Sequence, residues 1–211
     1  MSELLRRMRI QIPATSVMHS GKMHTFFDIL PNNNGLTEEY LYTHQPAGRA
    51  RIPVYSTSKD PVGFLDDNPD VRTKFVVLEG PAILVARKGY GGRLSVIGEE
   101  SFIVHEDGYA IRPKIAYHKE IDIAWFAGHY SSEFQSYRSS VEGIGDFPRA
   151  KLKTMIVTIP KIEWQERCAL LYRRRDHILE FINDSAGMLG SAVDEILSTT
   201  HPASKKPSAA A

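Results

Sequence analysis

A chain of 211 residues holds one ordinary domain with an appendage, or two very small domains, so a multidomain machine is excluded. With 42% hydrophobic and 24% charged residues it can bury a sizeable core, and it is not disordered as a whole. Its 26 basic and 25 acidic residues leave a net charge of +1. That excludes a histone-like polycation but not DNA binding, which depends on where the charge sits.

From the start to about residue 116 the pattern is strand-like, broken by Pro and Gly. Met8, Ile10 and Ile12 alternate with Arg9 and Gln11, the period of a half-buried strand. Pro31-Asn32-Asn33-Asn34-Gly35 is a turn, and Thr37 ahead of Glu38 and Glu39 caps a short helix reaching Tyr42. Strand-type runs follow at 52–55, 74–78, 82–86, 93–97, 101–105 and 109–112, while Asn68-Pro69-Asp70 reads as a turn. Their regular spacing predicts a compact antiparallel or mixed sheet.

The period changes near Asp122, a candidate N-cap. Ile123, Phe126, Ala127, Tyr130, Phe134 and Tyr137 then recur at helical steps. A loop at 143–148 leads into the apolar strand 155–159. After Pro160 a second helix is predicted from Glu163 to about Ile182, with Trp164, Cys168, Leu171, Ile178 and Ile182 on its apolar side. It either continues past Asn183-Asp184-Ser185 and Gly187 to Leu197 or breaks there, because helical propensity is weak at that junction. Residues 198–211 form a Pro/Ser/Lys/Ala tail expected to be disordered. No internal repeat is visible.

Several chemistries have no residues to carry them. The single cysteine, Cys168, leaves no intramolecular disulfide framework and no paired-thiolate zinc site, so a reducing compartment is expected. No apolar run approaches the roughly 18 residues of a membrane span, and the charged start is unlike a secretory leader. The expected location is the cytoplasm, with no membrane partner. A phosphate-cradling P-loop, an acidic residue two positions before a lysine in the nuclease manner, and an H-E-x-x-H metal pair are all missing. His105, Glu106 and Asp107 form the best acid/base cluster, which reads either as a small hydrolase or lyase site or as a polar turn between strands.

Two stretches stand out. In Arg87-Lys88-Gly89-Tyr90-Gly91-Gly92-Arg93 three cations and an aromatic ring sit on a glycine-rich turn between two predicted strands. Glycine lets backbone approach a phosphate closely, and Arg and Lys reach phosphate oxygens or the O6/N7 edge of guanine. The plainer alternative is a solvated hairpin tip. The second stretch, residues 149–175, carries eight cations against Glu163 and Glu166, a net +6 in a protein of +1. That asymmetry suggests an anionic partner on one side, or else a solvated helix face.

In order along the chain, these pieces resemble the specificity subunit of type I restriction–modification systems, over roughly residues 23–182. The resemblance runs through Phe27-Asp28-Ile29 to Leu36-Thr37, Ile52-Pro53-Val54-Tyr55-Ser56 and Gly63-Phe64-Leu65-Asp66. Its most specific part is Ala82-Ile83-Leu84-Val85-Ala86-Arg87-Lys88-Gly89 with Gly92-Arg93-Leu94. It closes with Ile156-Val157-Thr158-Ile159-Pro160 entering a helix through Pro160-Lys161-Ile162-Glu163-Trp164-Gln165-Glu166-Arg167. Lys161 stands where the family has a second proline, and the chain has one recognition domain and one helix where the usual subunit has two of each. It looks like a half subunit.

The resemblance implies an α/β (α+β) fold: a β-rich target recognition domain over 1–160, then a helical spacer and dimerisation region over 161–197. It implies a non-catalytic protein without cofactor or metal that binds double-stranded DNA. Its partners would be a methyltransferase subunit, which brings S-adenosylmethionine, a restriction subunit and a second copy of itself. The residues expected at DNA are Arg87, Lys88, Tyr90, Arg93 and Arg149, with Ser56, Thr57 and Lys59 as weaker candidates. Those expected along the partner helix are Leu171, Ile178, Ile182, Leu189, Val193 and Ile196, a stripe that either pairs with another helix or folds back on its own domain. Apart from the hydrolase, the alternative is a protein–protein adaptor acting through that helix alone.

Overall fold

The computed structural model of the chain describes residues 9–139 and 145–200. Met8, part of the 143–148 loop and residues 201–211 of the expected tail lie outside the described residues, while 198–200, expected in that tail, continue the last helix. Two compact units are present: Arg9–Tyr172, and a second whose described part, residues 173–200, is entirely helical.

The first unit is built on two four-stranded sheets. In one, β2 (Phe27–Leu30), β9 (Gly108–Pro113), β6 (Ala82–Ala86) and β7 (Leu94–Ile97) lie side by side, all antiparallel. In the other the order is β4 (Gly63–Asp66), β3 (Arg51–Tyr55), β8 (Ser101–Val104) and β5 (Val77–Glu79), with β3 and β8 parallel. The sheets close on each other through Leu30, Leu84, Ile97 and Ala110 of the first and Tyr55, Phe102 and Val104 of the second. On the far side of the second sheet, Ile52, Val54, Leu65 and Ile103 pack with Leu41 of α2 (Glu38–Thr43) and with Phe75, which follows α3 (Pro69–Lys74). The outer face of the first sheet meets α4 (Ile123–Ser136), where the rings of Phe27 and Phe126 lie 4.5 Å apart. A two-stranded ribbon, β1 (Val17–Lys22) against β10 (Ile156–Pro160), completes the unit, with single turns α1 (Met23–Phe26) and α5 (Lys151–Thr154) beside it.

Caps stand where side-chain chemistry demanded them. Thr37 Oγ1 accepts from the Tyr40 amide, and Asp122 Oδ1 from the Trp125 amide, which fixes the starts of α2 and α4 as expected. Asn68-Pro69-Asp70 is more than a turn: Asn68 Oδ1 accepts from the Val71 amide and Pro69 opens α3. That helix ends at Lys74, so the strand expected over 74–78 starts later and ends one residue further on, as β5. The strand expected around Ile10 and Ile12 is absent, since residues 9–13 have no regular structure. β1, β2 and β4 went unmarked because their apolar residues do not alternate cleanly.

The segment at residues 9–10 is a strap rather than a strand. Arg9 Nε donates to His129 Nε2 at 3.0 Å and its Nη1 pairs with Glu133 at 2.8 Å, while the Ile10 amide donates to Tyr172 Oη at 3.0 Å. Because His129 Nε2 accepts, the ring proton sits on Nδ1, 2.9 Å from Tyr172 Oη. A helix of 39 residues, α6 (Ile162–Thr200), runs unbroken through Gly187. Its first turns belong to the strand-bearing unit, held by the Gln165 carboxamide. Gln165 Oε1 accepts from the Asp122 amide at 2.8 Å, and Nε2 donates to the carbonyls of Glu120 (2.6 Å) and Pro160 (2.7 Å). Gly128 of α4 lets Tyr172 come so close that a Cβ there would stand 2.6 Å from that of the tyrosine. In the second unit the helix exposes Ile178, Phe181, Met188 and Leu189, and Ile182 is half-buried. The side chains of Val193 and Ile196 lie outside the described residues.

Burial, then the charge of Arg9, pushes the His129 imidazole from its usual 6.5 down to about 3. The unfolded chain therefore takes up a proton that the folded one refuses, so stability is full above pH 6.5 and falls as the pH drops toward 3. The expected loss from this residue is about 1.4 kcal/mol per pH unit well below pH 6. Urea midpoints measured across that range should decline in the wild type and flatten in His129→Gln.

Candidate nucleic-acid interface

Strand order brings four loops to one end of the sheets. β3 and β8 run parallel and finish together, with Tyr55 opposite Val104. Ala86, the last residue of β6, faces Gly108, the first of β9. The loop at 56–60, the β8–β9 turn His105-Glu106-Asp107 and the hairpin 87–93 consequently emerge side by side. The segment 145–149 joins them, because the Phe147 amide donates to the Arg87 carbonyl at 2.7 Å and Phe147 stacks on Phe134 of α4, with ring centroids 5.3 Å apart.

The hairpin keeps its shape through glycine. Gly89 and Gly92 have φ of +66° and +82°, the left-handed region that costs an L residue roughly 1–2 kcal/mol. A Cβ on Gly92 would also stand 2.4 Å from the Phe134 carbonyl oxygen. Tyr90 is 68% exposed at the tip. Arg93 lies over its ring at 6.0 Å, and Arg149 lies over the buried Tyr109 ring at 5.7 Å. Both guanidiniums are exposed, so stacking orients them while their N–H donors stay in water.

The other two cations are engaged. Lys88 Nζ is 2.6 Å from Asp107 Oδ1, and this hydrogen-bonded pair holds the ammonium above the usual lysine range. Arg87 donates to the Glu106 carbonyl at 3.3 Å and stands 3.6 Å from Asp146 Oδ1. Arg87, Lys88, Tyr90, Arg93 and Arg149 are thus gathered at one end. Thr57 and Lys59 lie on the adjoining loop, half-buried and exposed respectively, while Ser56 is buried. The stretch 149–175 does not act as one cationic block. Lys151 covers the Tyr137 ring at 4.4 Å, and Arg175, in the helical unit, is buried and paired with Asp176 at 2.7 Å.

His105, Glu106 and Asp107 do not assemble as an acid/base site. His105 is buried, its Nδ1 accepts from the Asp107 amide at 3.2 Å, and its Nε2 meets no hydrogen-bond partner among the described residues. Glu106 accepts from the Gly35 amide at 3.1 Å and holds Asn32 through its carbonyl at 3.4 Å. His105 Nδ1 also lies 3.5 Å from Asp107 Oδ2, and the turn is a junction between loops, which lends the hydrolase reading no support. Sequence reasoning missed Asn33 as well. This buried residue bonds the carbonyls of Val76 and Val104 and the Val76 amide, fastening the 31–35 turn to the same end. An asparagine run in a polar turn carries no signal separating this role from solvation.

No protein-family model matches the sequence, and no curated protein matches it. Solved structures do share its fold. The type I restriction–modification S subunit from M. genitalium superposes with a TM-score of 0.55 at 15% identity, over 89% of this chain and 47% of its own. A chain from a type I restriction–modification system, solved for the basis of its complex assembly and conformational transition, gives 0.61 at 12% identity over 92% and 49%. The HsdS subunit from Thermoanaerobacter tengcongensis gives 0.55 at 11% identity over 87% and 45%. The architecture, a β-rich unit with a long C-terminal helix, is therefore the S-subunit fold of type I restriction–modification systems. The chain spans about half the length of these S subunits, the size of a half subunit.

Gly92→Ala is expected to destabilise the unit by on the order of 1–3 kcal/mol, since it must move either the hairpin or the α4 carbonyl. A thermal melt of that variant beside Gly98→Ala, where a Cβ meets open space, checks this.

Proposed function

We propose that the protein is a non-catalytic DNA-specificity subunit that reads one half of a double-stranded site and directs a methyltransferase subunit, and with it a restriction subunit, to that site in the cytoplasm. In this reading residues 1–160 are the target recognition domain and 161–197 the spacer. The reading rests on one observation above others: an S-subunit fold whose loop end gathers the glycine-rich hairpin and five cations or aromatic residues named from the sequence. Base edges supply sequence information there, while Arg93, Arg149 and Lys59 supply phosphate contacts and register.

Each phosphate neutralised contributes about 0.9 to the dependence of log affinity on log salt. Arg93→Met with Arg149→Met should therefore flatten the slope by about 1.8 for a duplex selected from a randomised pool. Fluorescence anisotropy across a salt series measures it. An unchanged slope, or a failure to enrich any duplex, would overturn the reading.

A second copy of the chain is the expected partner of α6. Leu171 and Ile178 are one heptad apart, as are Ile182 and Leu189, and Leu171, Ile178 and Leu189 are each about half or more exposed. Two such helices related by a two-fold axis would bring two recognition domains onto one scaffold. Burying each side chain is worth roughly 1.5–3 kcal/mol. Sedimentation at micromolar concentration should find a dimer, and Ile178→Asp with Leu189→Asp a monomer; a monomeric wild type would refute the pairing.

A further inference from the structure

Lys88 lies on the DNA-facing hairpin, yet its ammonium is held by a carboxylate from another loop. Asp107 Oδ1 is 2.6 Å from Lys88 Nζ, Asp107 N donates to His105 Nδ1, and the Asp107 carbonyl accepts from the Arg87 amide at 2.8 Å. The Asp107 backbone is anchored on both sides and its carboxylate is only 24% exposed, whereas Lys88 is 46% exposed on a flexible stem. Asp107 is thus the fixed member of the pair and Lys88 the member that is held. Arg93 and Arg149, by contrast, rest on aromatic rings that do not compete for their N–H donors.

Given DNA binding at this end, we infer that Asp107 is a specificity-determining positioning residue: it withholds the Lys88 ammonium from the phosphate backbone. A lysine free to swing onto any phosphate strengthens binding to every duplex alike and so erodes discrimination. A lysine neutralised by a clamped carboxylate adds no sequence-blind contact, and the loops it ties stay in register for reading base edges. The division of labour is that Arg93 and Arg149 supply sequence-blind attraction and Asp107 limits it.

The test is a double-mutant cycle read by anisotropy, with the full chain titrated across a KCl series on a labelled mixed-sequence duplex and on a duplex selected from a randomised pool. Asp107→Asn should steepen the salt slope on the mixed duplex by about 0.9, one added phosphate contact, and narrow the affinity ratio between the two duplexes. Asp107→Glu should retain the wild-type slope. Lys88→Met alone should leave the slope unchanged, and adding it to Asp107→Asn should return the slope to the wild-type value. If Asp107→Asn has the wild-type slope, or if Lys88→Met alone loses about 0.9, the inference is overturned while DNA recognition stands. A wild type that binds neither duplex overturns DNA recognition itself.

Discussion

Everything at the loop end depends on one strand being buried along its whole length. Ala82–Ala86 of β6 has no exposed residue, because β9 and β7 flank it, the second sheet covers one face and α4 the other. A strand so enclosed cannot contain a charge without a partner, since the cost of desolvating one outweighs what a single strand residue contributes. The first cation, Arg87, consequently marks the point at which the chain leaves the core. The hairpin has to begin there.

From that constraint the rest of the end assembles by pairing. β9 must lie beside β6, so the β8–β9 turn lies beside the hairpin, and the parallel partner of β8 brings the 56–60 loop alongside. The loops are then tied by polar bonds: Asp107 to Lys88, Glu106 to Gly35 and Asn32, and Asn33 to Val76 and Val104. Buried strands set the position of the charges, and these bonds set their orientation. A surface built this way can change its exposed side chains without altering the scaffold beneath it.

The helix start follows a similar logic. The Gln165 side chain is fully buried, and it uses its oxygen once and its nitrogen twice, joining the end of β10, the approach to α4 and the first turns of α6. A buried amide with those three bonds made is stable in one geometry and costly in any other. It fixes the first turns of the helix within the strand-bearing unit, while Gly128 allows Tyr172 to close against α4.

Much of this was legible in the residues themselves. The caps at Thr37 and Asp122, the strands 82–86 and 101–104, the helix after Pro160 and the cationic glycine-rich turn are local features, set by side-chain period and backbone preference within a few positions. Strands such as β1, β2 and β4 were hidden because pairing partners, not their own alternation, hold them extended. Residues 9–13 alternate without becoming a strand: the Arg9 side chain and the Ile10 amide are bonded to His129, Glu133 and Tyr172, more than a hundred positions away. Sequence alone marked Arg87, Lys88 and Arg93, since charge on a glycine turn is a local fact, and Arg149 at the head of the cationic stretch 149–175. Only the tertiary structure decided that Lys88 is held by Asp107, that Arg149 rests on Tyr109, and that His105 is sealed in a junction instead of facing a substrate. Those outcomes turn on distances between loops, and strand order alone sets such distances.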